Sequence, residues 1–69
     1  MTYTREGHTL RLMTTKDNTI IVLDGKFIGY AVDDNIIEYL KFYYNSKNKH
    51  PVILKLANIL KEENPEEFL

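Results

Sequence analysis

The chain has 69 residues, a net charge of −1 and no cysteine. Its length and its hydrophobic content of 43% are typical of one small globular domain, which we place at residues 1–69. The lack of cysteine excludes disulfides and cysteine-based zinc sites, and the near-neutral charge gives no overall field that would indicate binding to nucleic acid or membrane.

Three β-strands are predicted in the first half of the chain. The alternating residues 8–14 indicate the first strand, and the turn-forming residues 15–18 connect it to a second strand that ends at residue 23. Asp24 and Gly25 then separate two apolar runs, which is the strongest short-range signal for a β-hairpin with a type I′ turn. The third strand is predicted from about residue 26 to residue 32.

Two helices are predicted in the second half. Residues 33–35 are a cluster of N-cap side chains, and the first helix is predicted from about Asn35 to Ser46. Pro51 suits the first turn of a second helix that runs to about Glu63, where an Asn-Pro pair ends it. The predicted fold is therefore α+β, a three-stranded antiparallel meander followed by a two-helix hairpin packed on one face of the sheet.

The two-residue turn fixes a predicted register, in which Ile21 pairs with Ile28 and Thr19 pairs with Tyr30. The face that we predict to be the core carries Leu10, Leu12, Ile21, Leu23, Ile28, Tyr30 and Val32. The opposite face carries Thr9, Arg11, Met13, Ile20, Val22, Phe27, Gly29 and Ala31.

Both faces of the predicted sheet are apolar, but two short helices comfortably cover only one. The second face is therefore a predicted surface for binding another protein or a second copy of the chain. One alternative stays open, in which a helix crosses this face and Phe27 is internal. The residues that we predict to bind a partner are Arg11, Met13, Ile20, Val22, Phe27 and Phe42.

No residue pattern indicates an enzyme, a cofactor or a metal site. Ser46 is the only serine and has no glycine turn around it, and His8 and His50 are far apart in sequence. The three glycines form no phosphate-binding loop. We therefore predict a protein that is not an enzyme, with no cofactor and no bound metal.

An alternative function rests on a basic segment beside two aromatic residues. Such a segment could contact phosphates while the rings of Tyr43 and Tyr44 stack on bases. In the competing interpretation the tyrosines belong to the core and the lysines are solvated. The residues of this alternative nucleic-acid site are Lys41, Lys47, Lys49 and His50.

Composition gives a weaker indication of origin and compartment. No apolar run approaches the roughly 20 residues of a membrane span, and residues 1–8 lack the apolar region of a signal peptide, so a cytoplasmic location without membrane binding is predicted. Residue types with AT-rich codons far outnumber those with GC-rich codons. Together these features predict a small non-catalytic protein-interaction module, namely a phage or mobile-element inhibitor that binds a host protein through its apolar sheet face. The same face could instead bind a second copy of the chain, which would give a homodimer or other homo-oligomer.

Overall fold

The computed structural model describes residues 1–47 and 50–68 and confirms the α+β class. The prediction of three strands is wrong, because a short strand precedes them and the antiparallel sheet has four. Within the described residues the elements are β1 (Thr2–Arg5), β2 (His8–Thr14), β3 (Thr19–Leu23), β4 (Lys26–Ala31), α1 (Ile36–Tyr44), α2 (Pro51–Glu63) and a final 3-10 turn (Pro65–Phe68).

Strand β1 joins β2 through a turn that the sequence analysis did not identify. Glu6 and Gly7 both have positive φ, 51° and 80°, which is the backbone of a type I′ turn. Glutamate is an uncommon residue at positive φ, so this turn carries a weaker sequence signal than Asp24-Gly25. The strands lie in the order β1-β2-β3-β4, which leaves β1 and β4 at the two edges of the sheet.

The predicted Asp24-Gly25 turn is confirmed, with φ of 51° and 81° at its two residues. The Asp24 carboxylate accepts the Thr9 backbone N–H at 2.7 Å and hydrogen-bonds the His8 ring at 2.8 Å. These bonds connect the β3–β4 turn to the start of β2, so the turn is fixed to the rest of the sheet as well as to its own strands.

The register between β3 and β4 agrees with the predicted one for the two residue pairs next to the turn and differs from it farther along the strands. The pairing changes between Val22 and Ile21, where a β-bulge takes Ile28 out of the regular ladder and Ile21 pairs with Gly29. Tyr30 therefore pairs with Ile20 and leaves the core face, where we predicted it. It is 65% exposed, and Ala31 packs against the core in its place.

Val32, also predicted on the core face, is fully exposed, because the strand ends at Ala31 and the chain bends away. The predicted register between β2 and β3 is confirmed, with Leu12 opposite Ile21 and Leu10 opposite Leu23. Period-2 alternation therefore assigned the faces correctly up to the bulge.

Each helix begins at a side chain that caps its first turn. The Asn35 side-chain oxygen accepts the Glu38 backbone N–H at 3.1 Å, and the His50 ring accepts the Val52 N–H at 3.3 Å ahead of Pro51. Helix α1 ends at Tyr44, two residues before the predicted end, and α2 has the predicted bounds.

Both helices pack on the same face of the sheet. The sheet and the helices contribute to one hydrophobic core, in which Leu10, Leu12, Leu40, Ile53 and Leu56 are at most 1% exposed. The rest of its buried members are Tyr3, Ile21, Leu23, Ile36, Ala57 and Leu60. Side chains of both helices and of one face of the sheet thus share this core, and no helix of residues 1–47 and 50–68 contributes to the opposite face.

The newly found strand β1 is held to the end of α2. The Tyr3 hydroxyl donates a 2.6 Å hydrogen bond to the Glu63 carboxylate, and the Arg5 guanidinium donates to the same carboxylate at 2.9 Å. Arg5 also lies over the Tyr3 ring at 4.5 Å from its centre. These three side chains join residues that are about 60 positions apart in sequence.

Candidate protein-interaction surface

The face of the sheet opposite the helices, here called the outer face, carries two cross-strand rows of side chains. The register places members of each row directly opposite one another on neighbouring strands, close enough for their side chains to pack. The first row, from β2 to β4, consists of Arg11, Val22 and Phe27. The second row consists of Met13, Ile20 and Tyr30.

The five uncharged members of these rows form a contiguous surface, here called the apolar patch: Met13, Ile20, Val22, Phe27 and Tyr30. Phe27 is 51% exposed, Met13 is 36% exposed, and Ile20 and Val22 are half-buried between them. The Phe27 and Tyr30 rings meet edge to face with their centres 5.4 Å apart. Two aromatic side chains therefore hold each other in place on a surface that lies in water.

The outer face changes from polar to apolar across the sheet. At its β1 side Thr4 lies opposite Thr9, with the two hydroxyl oxygens 3.2 Å apart, and Thr2 lies opposite Arg11. Towards β4 the side chains are apolar. Arg11 is exposed at the boundary, where a guanidinium can pair with a carboxylate at the rim of an interface.

The structure therefore brings together five of the six side chains predicted to bind a partner. The sixth, Phe42, lies on α1 instead and is 77% exposed. Tyr30 was missed as a member of the surface because the bulge was not anticipated. An isolated glycine within a strand pattern is the signal that indicates a bulge, and Gly29 provided it.

A groove separates β4 from α1 and places Phe42 close to the apolar patch. Tyr30 and Phe42 both line it, together with Tyr39. It consists of two adjoining cavities of about 540 and 550 Å³. Further lining residues at the end of β4 are Ala31, Val32 and Asp33, and deeper ones include Ile28, Tyr43 and Ile53.

Tyr39, which lines both cavities of the groove, is not an acid–base group at neutral pH. Burial raises the pKa of Tyr39 to about 12, and the neighbouring Tyr43 acts in the same direction. The Tyr39 phenol therefore stays neutral across the physiological range. Its ring is packed 5.9 Å from that of Tyr43, so it forms part of an apolar wall.

The predicted basic–aromatic region is only partly brought together. Lys41 lies 4.0 Å from the Glu38 carboxylate, Lys47 is exposed, and His50 caps α2. Lys49, the remaining member of that prediction, lies outside the described residues.

Both tyrosines of that region contact other parts of the fold. The Tyr43 hydroxyl accepts the backbone N–H of His50, and the Tyr44 hydroxyl accepts a bond from Lys61 at 3.3 Å. The Tyr44 ring also lies against Phe68. Tyr43 and Tyr44 are half-buried against the core, which agrees with the interpretation that makes them structural.

The two carboxylates with lowered pKa values serve the fold. Hydrogen bonding to His8, and then to the Thr9 N–H, lowers the pKa of Asp24. Hydrogen bonding to Arg5, and then to Tyr3, lowers the pKa of Glu63. Both groups are therefore ionised acceptors in hydrogen bonds that hold the β3–β4 turn and strand β1 in place.

Among residues 1–47 and 50–68, no group of three or more histidine, aspartate or glutamate side chains is placed to hold a metal ion. Over the same residues, neither helix has the length and apolar character that crossing a membrane requires.

The chain matches no protein-family model, no curated protein and no solved structure.

Proposed function

We propose that this chain is a non-catalytic protein-interaction module that binds its partner through the apolar patch. The observation that carries the proposal is the exposure of Phe27, Tyr30 and Met13 on the outer face, with Ile20 and Val22 between them. Large apolar side chains gathered in one area are typical of an interaction surface, whereas scattered ones are ordinary. Aromatic residues, methionine and arginine are also the types enriched at interfaces.

The energetics favour burial of this patch by a partner. Covering the exposed half of Phe27 contributes about 1 kcal/mol, and Tyr30 contributes a similar amount. The edge-to-face contact between the two rings fixes their positions before binding. Less side-chain entropy is therefore lost when a partner covers them than for two freely rotating rings.

The test compares Phe27→Asp with Thr4→Asp, which places the same new charge on the polar side of the outer face. Association is measured by size-exclusion chromatography with light scattering, and by capture of binding proteins on the immobilised chain. We expect Phe27→Asp to abolish association and Thr4→Asp to leave it unchanged. Both variants should keep the circular dichroism spectrum of the parent chain.

Two results would contradict the proposal. If Phe27→Asp unfolds the chain, Phe27 is a structural residue and the outer face has been misassigned. If Phe27→Asp and Met13→Asp both fold and bind as the parent does, the apolar patch is not the interaction surface. The predicted role as an inhibitor of a host protein and the nucleic-acid alternative both stay predictions.

A further inference from the structure

One of the two cavities of the groove, here called the acidic cavity, is lined by both aromatic rings and carboxylates. It has a volume of about 540 Å³ and lies between the end of β4 and helix α1. Its aromatic side chains are Tyr30, Tyr39 and Phe42, and its carboxylates are those of Asp33 and Glu38. Among the residues that the structure describes, no basic side chain lines it. Such a lining favours a ligand group that is flat or apolar and also positively charged.

Two of the three rings are held by neighbouring rings. The Tyr30 ring meets that of Phe27 at 5.4 Å, and the Tyr39 ring lies 5.9 Å from that of Tyr43. The third ring, Phe42, is 77% exposed and therefore accessible to a ligand. The face of a neutral aromatic ring attracts a cation. Because two of the walls are already fixed, little side-chain entropy is lost when a ligand enters between them.

Both carboxylates are positioned by the start of α1. The Asp33 carboxylate accepts the Asn35 backbone N–H at 2.9 Å, and the Asn35 side chain accepts the Glu38 N–H at 3.1 Å. Only Oδ1 of Asp33 takes part in its bond, so Oδ2 can still accept from a ligand. Within residues 1–47 and 50–68, Asp33 is in no ion pair.

Two nearby positive charges oppose a cation in this cavity but do not cancel the carboxylates. Lys41 lies 4.0 Å from the Glu38 carboxylate, and the two side chains are 36% and 62% exposed. Such a solvated pair is weak, so a ligand can replace Lys41 at little cost. The N-terminus of α1 adds only roughly half a positive charge. Even with Lys41 in place, two carboxylates leave the cavity with a net negative charge.

We propose that the acidic cavity binds an arginine side chain of the partner protein. This inference rests on the proposed function and names the chemistry by which the partner is recognised. A guanidinium is planar, stacks on aromatic rings and donates two parallel hydrogen bonds to a carboxylate. A lysine ammonium is a compact and strongly hydrated charge, which gains less from rings of this kind.

The rest of the groove argues for a protein segment as the source of this arginine. The adjoining cavity of about 550 Å³ has Ile28 and Ile53 in its lining and suits an apolar side chain of the same segment. Tyr30 lines both cavities and also belongs to the apolar patch. The groove and the patch are therefore continuous, so that one partner can cover both.

The first experiment titrates the parent chain with capped peptides and follows the ring signals of Tyr30, Tyr39 and Phe42 by NMR. The peptide Ala-Leu-Arg-Leu-Ala is compared with one in which neutral citrulline, of nearly the same shape, replaces arginine, and with one that has lysine there. We expect citrulline to raise the dissociation constant at least about threefold, and lysine to bind less tightly than arginine. Equal binding of the three peptides, or no shift up to about 10 mM arginine peptide, would overturn the proposal.

The second experiment removes the charge from the cavity with Asp33→Asn and Glu38→Gln together. Asparagine keeps an oxygen for the Asn35 N–H, so helix α1 should keep its start, which circular dichroism checks. We expect this double variant to bind the arginine peptide as weakly as the citrulline peptide. Asp17→Asn, in the exposed β2–β3 turn, is the matched control and should bind as the parent does. Unchanged affinity of the double variant for the arginine peptide contradicts the role of the carboxylates.

The outcomes separate this inference from the proposed function. If Phe27→Asp abolishes capture of a partner while arginine and citrulline peptides bind the parent equally, the proposed function stands and the arginine site is overturned. If the arginine peptide binds as expected while Phe27→Asp leaves capture unchanged, the acidic cavity is supported and the apolar patch is not the interaction surface. The comparison of peptides uses the parent chain, so it decides even if the double variant does not fold.

Discussion

Phe27 and Tyr30 are three residues apart on one strand, yet their rings touch edge to face on the same side of the sheet. In a regular strand, residues three apart point to opposite faces. The bulge at Ile28 removes this difference, because one residue stands outside the regular pairing. A single irregularity of the backbone therefore moves Tyr30 out of the core and completes the apolar patch.

Gly29 is the residue that we expect to maintain this bulge. Its φ of 156° is in a region that glycine adopts far more readily than other residues. Nothing lies within 4 Å of the position that a Cβ atom would take, so the cost of Gly29→Ala comes from the backbone and not from a clash. We expect Gly29→Ala to lower the free energy of unfolding by about 1–3 kcal/mol, measured by urea denaturation.

The control for this prediction is Gly25→Asn in the β3–β4 turn. Gly25 also has positive φ, at 81°, but asparagine tolerates that region. Gly25→Asn should therefore cost clearly less than Gly29→Ala. Equal stability of Gly29→Ala and the parent chain would show that the bulge does not depend on glycine.

The sequence was sufficient for those parts of the fold that follow from periodicity and caps. The alternation in β2 and β3 predicted which side chains are buried, and Pro51 and the Asn-Pro pair predicted both ends of α2. These signals are local, since each depends on residues within a few positions of one another. The candidate surface follows from the same alternation, which is why five of its six predicted members lie together.

The bulge and the first strand could not be predicted by the same means. Alternation places Tyr30 on the core face, whereas the bulge in the structure places Ala31 there and leaves Tyr30 exposed. Strand β1 is four residues long and is held partly by Tyr3 and Arg5 at Glu63, about 60 positions away. A contact at that separation leaves no local pattern in the sequence.

The hydrogen bond between Tyr3 and Glu63 leads to a prediction about stability. Tyr3 is 8% exposed, and burial, followed by its bond to Glu63, raises the pKa of its phenol. Removing only the hydroxyl, in Tyr3→Phe, should destabilise the chain while leaving the core packing intact. In a double-mutant cycle with Glu63→Gln, the two effects should be less than additive. Additive effects would show that the bond contributes nothing to stability.

Protonation of the same carboxylate, that of Glu63, should lower the stability of the folded chain at acid pH. The pKa of Glu63 is lower in the folded chain than in the unfolded chain, chiefly because Arg5 donates to it. Its ionised form therefore stabilises the fold above the unfolded pKa of about 4, and this contribution is lost as the pH falls through the folded value. We expect the urea midpoints of the parent and Glu63→Gln to differ at pH 7 and to approach each other as the pH falls below about 4. A constant difference between them would contradict this linkage.

Helix α1 offers a test that separates stability from binding. Leu40 is fully buried, so Leu40→Ala should lower the free energy of unfolding by about 2–5 kcal/mol. Phe42 is 77% exposed beside the groove, so Phe42→Ala should change that free energy by no more than about 0.5 kcal/mol. If Phe42 extends the interaction surface across the groove, the same substitution should weaken association measured by light scattering. Strong destabilisation by Phe42→Ala would instead place this side chain in the core, and unchanged association would limit the interface to the sheet.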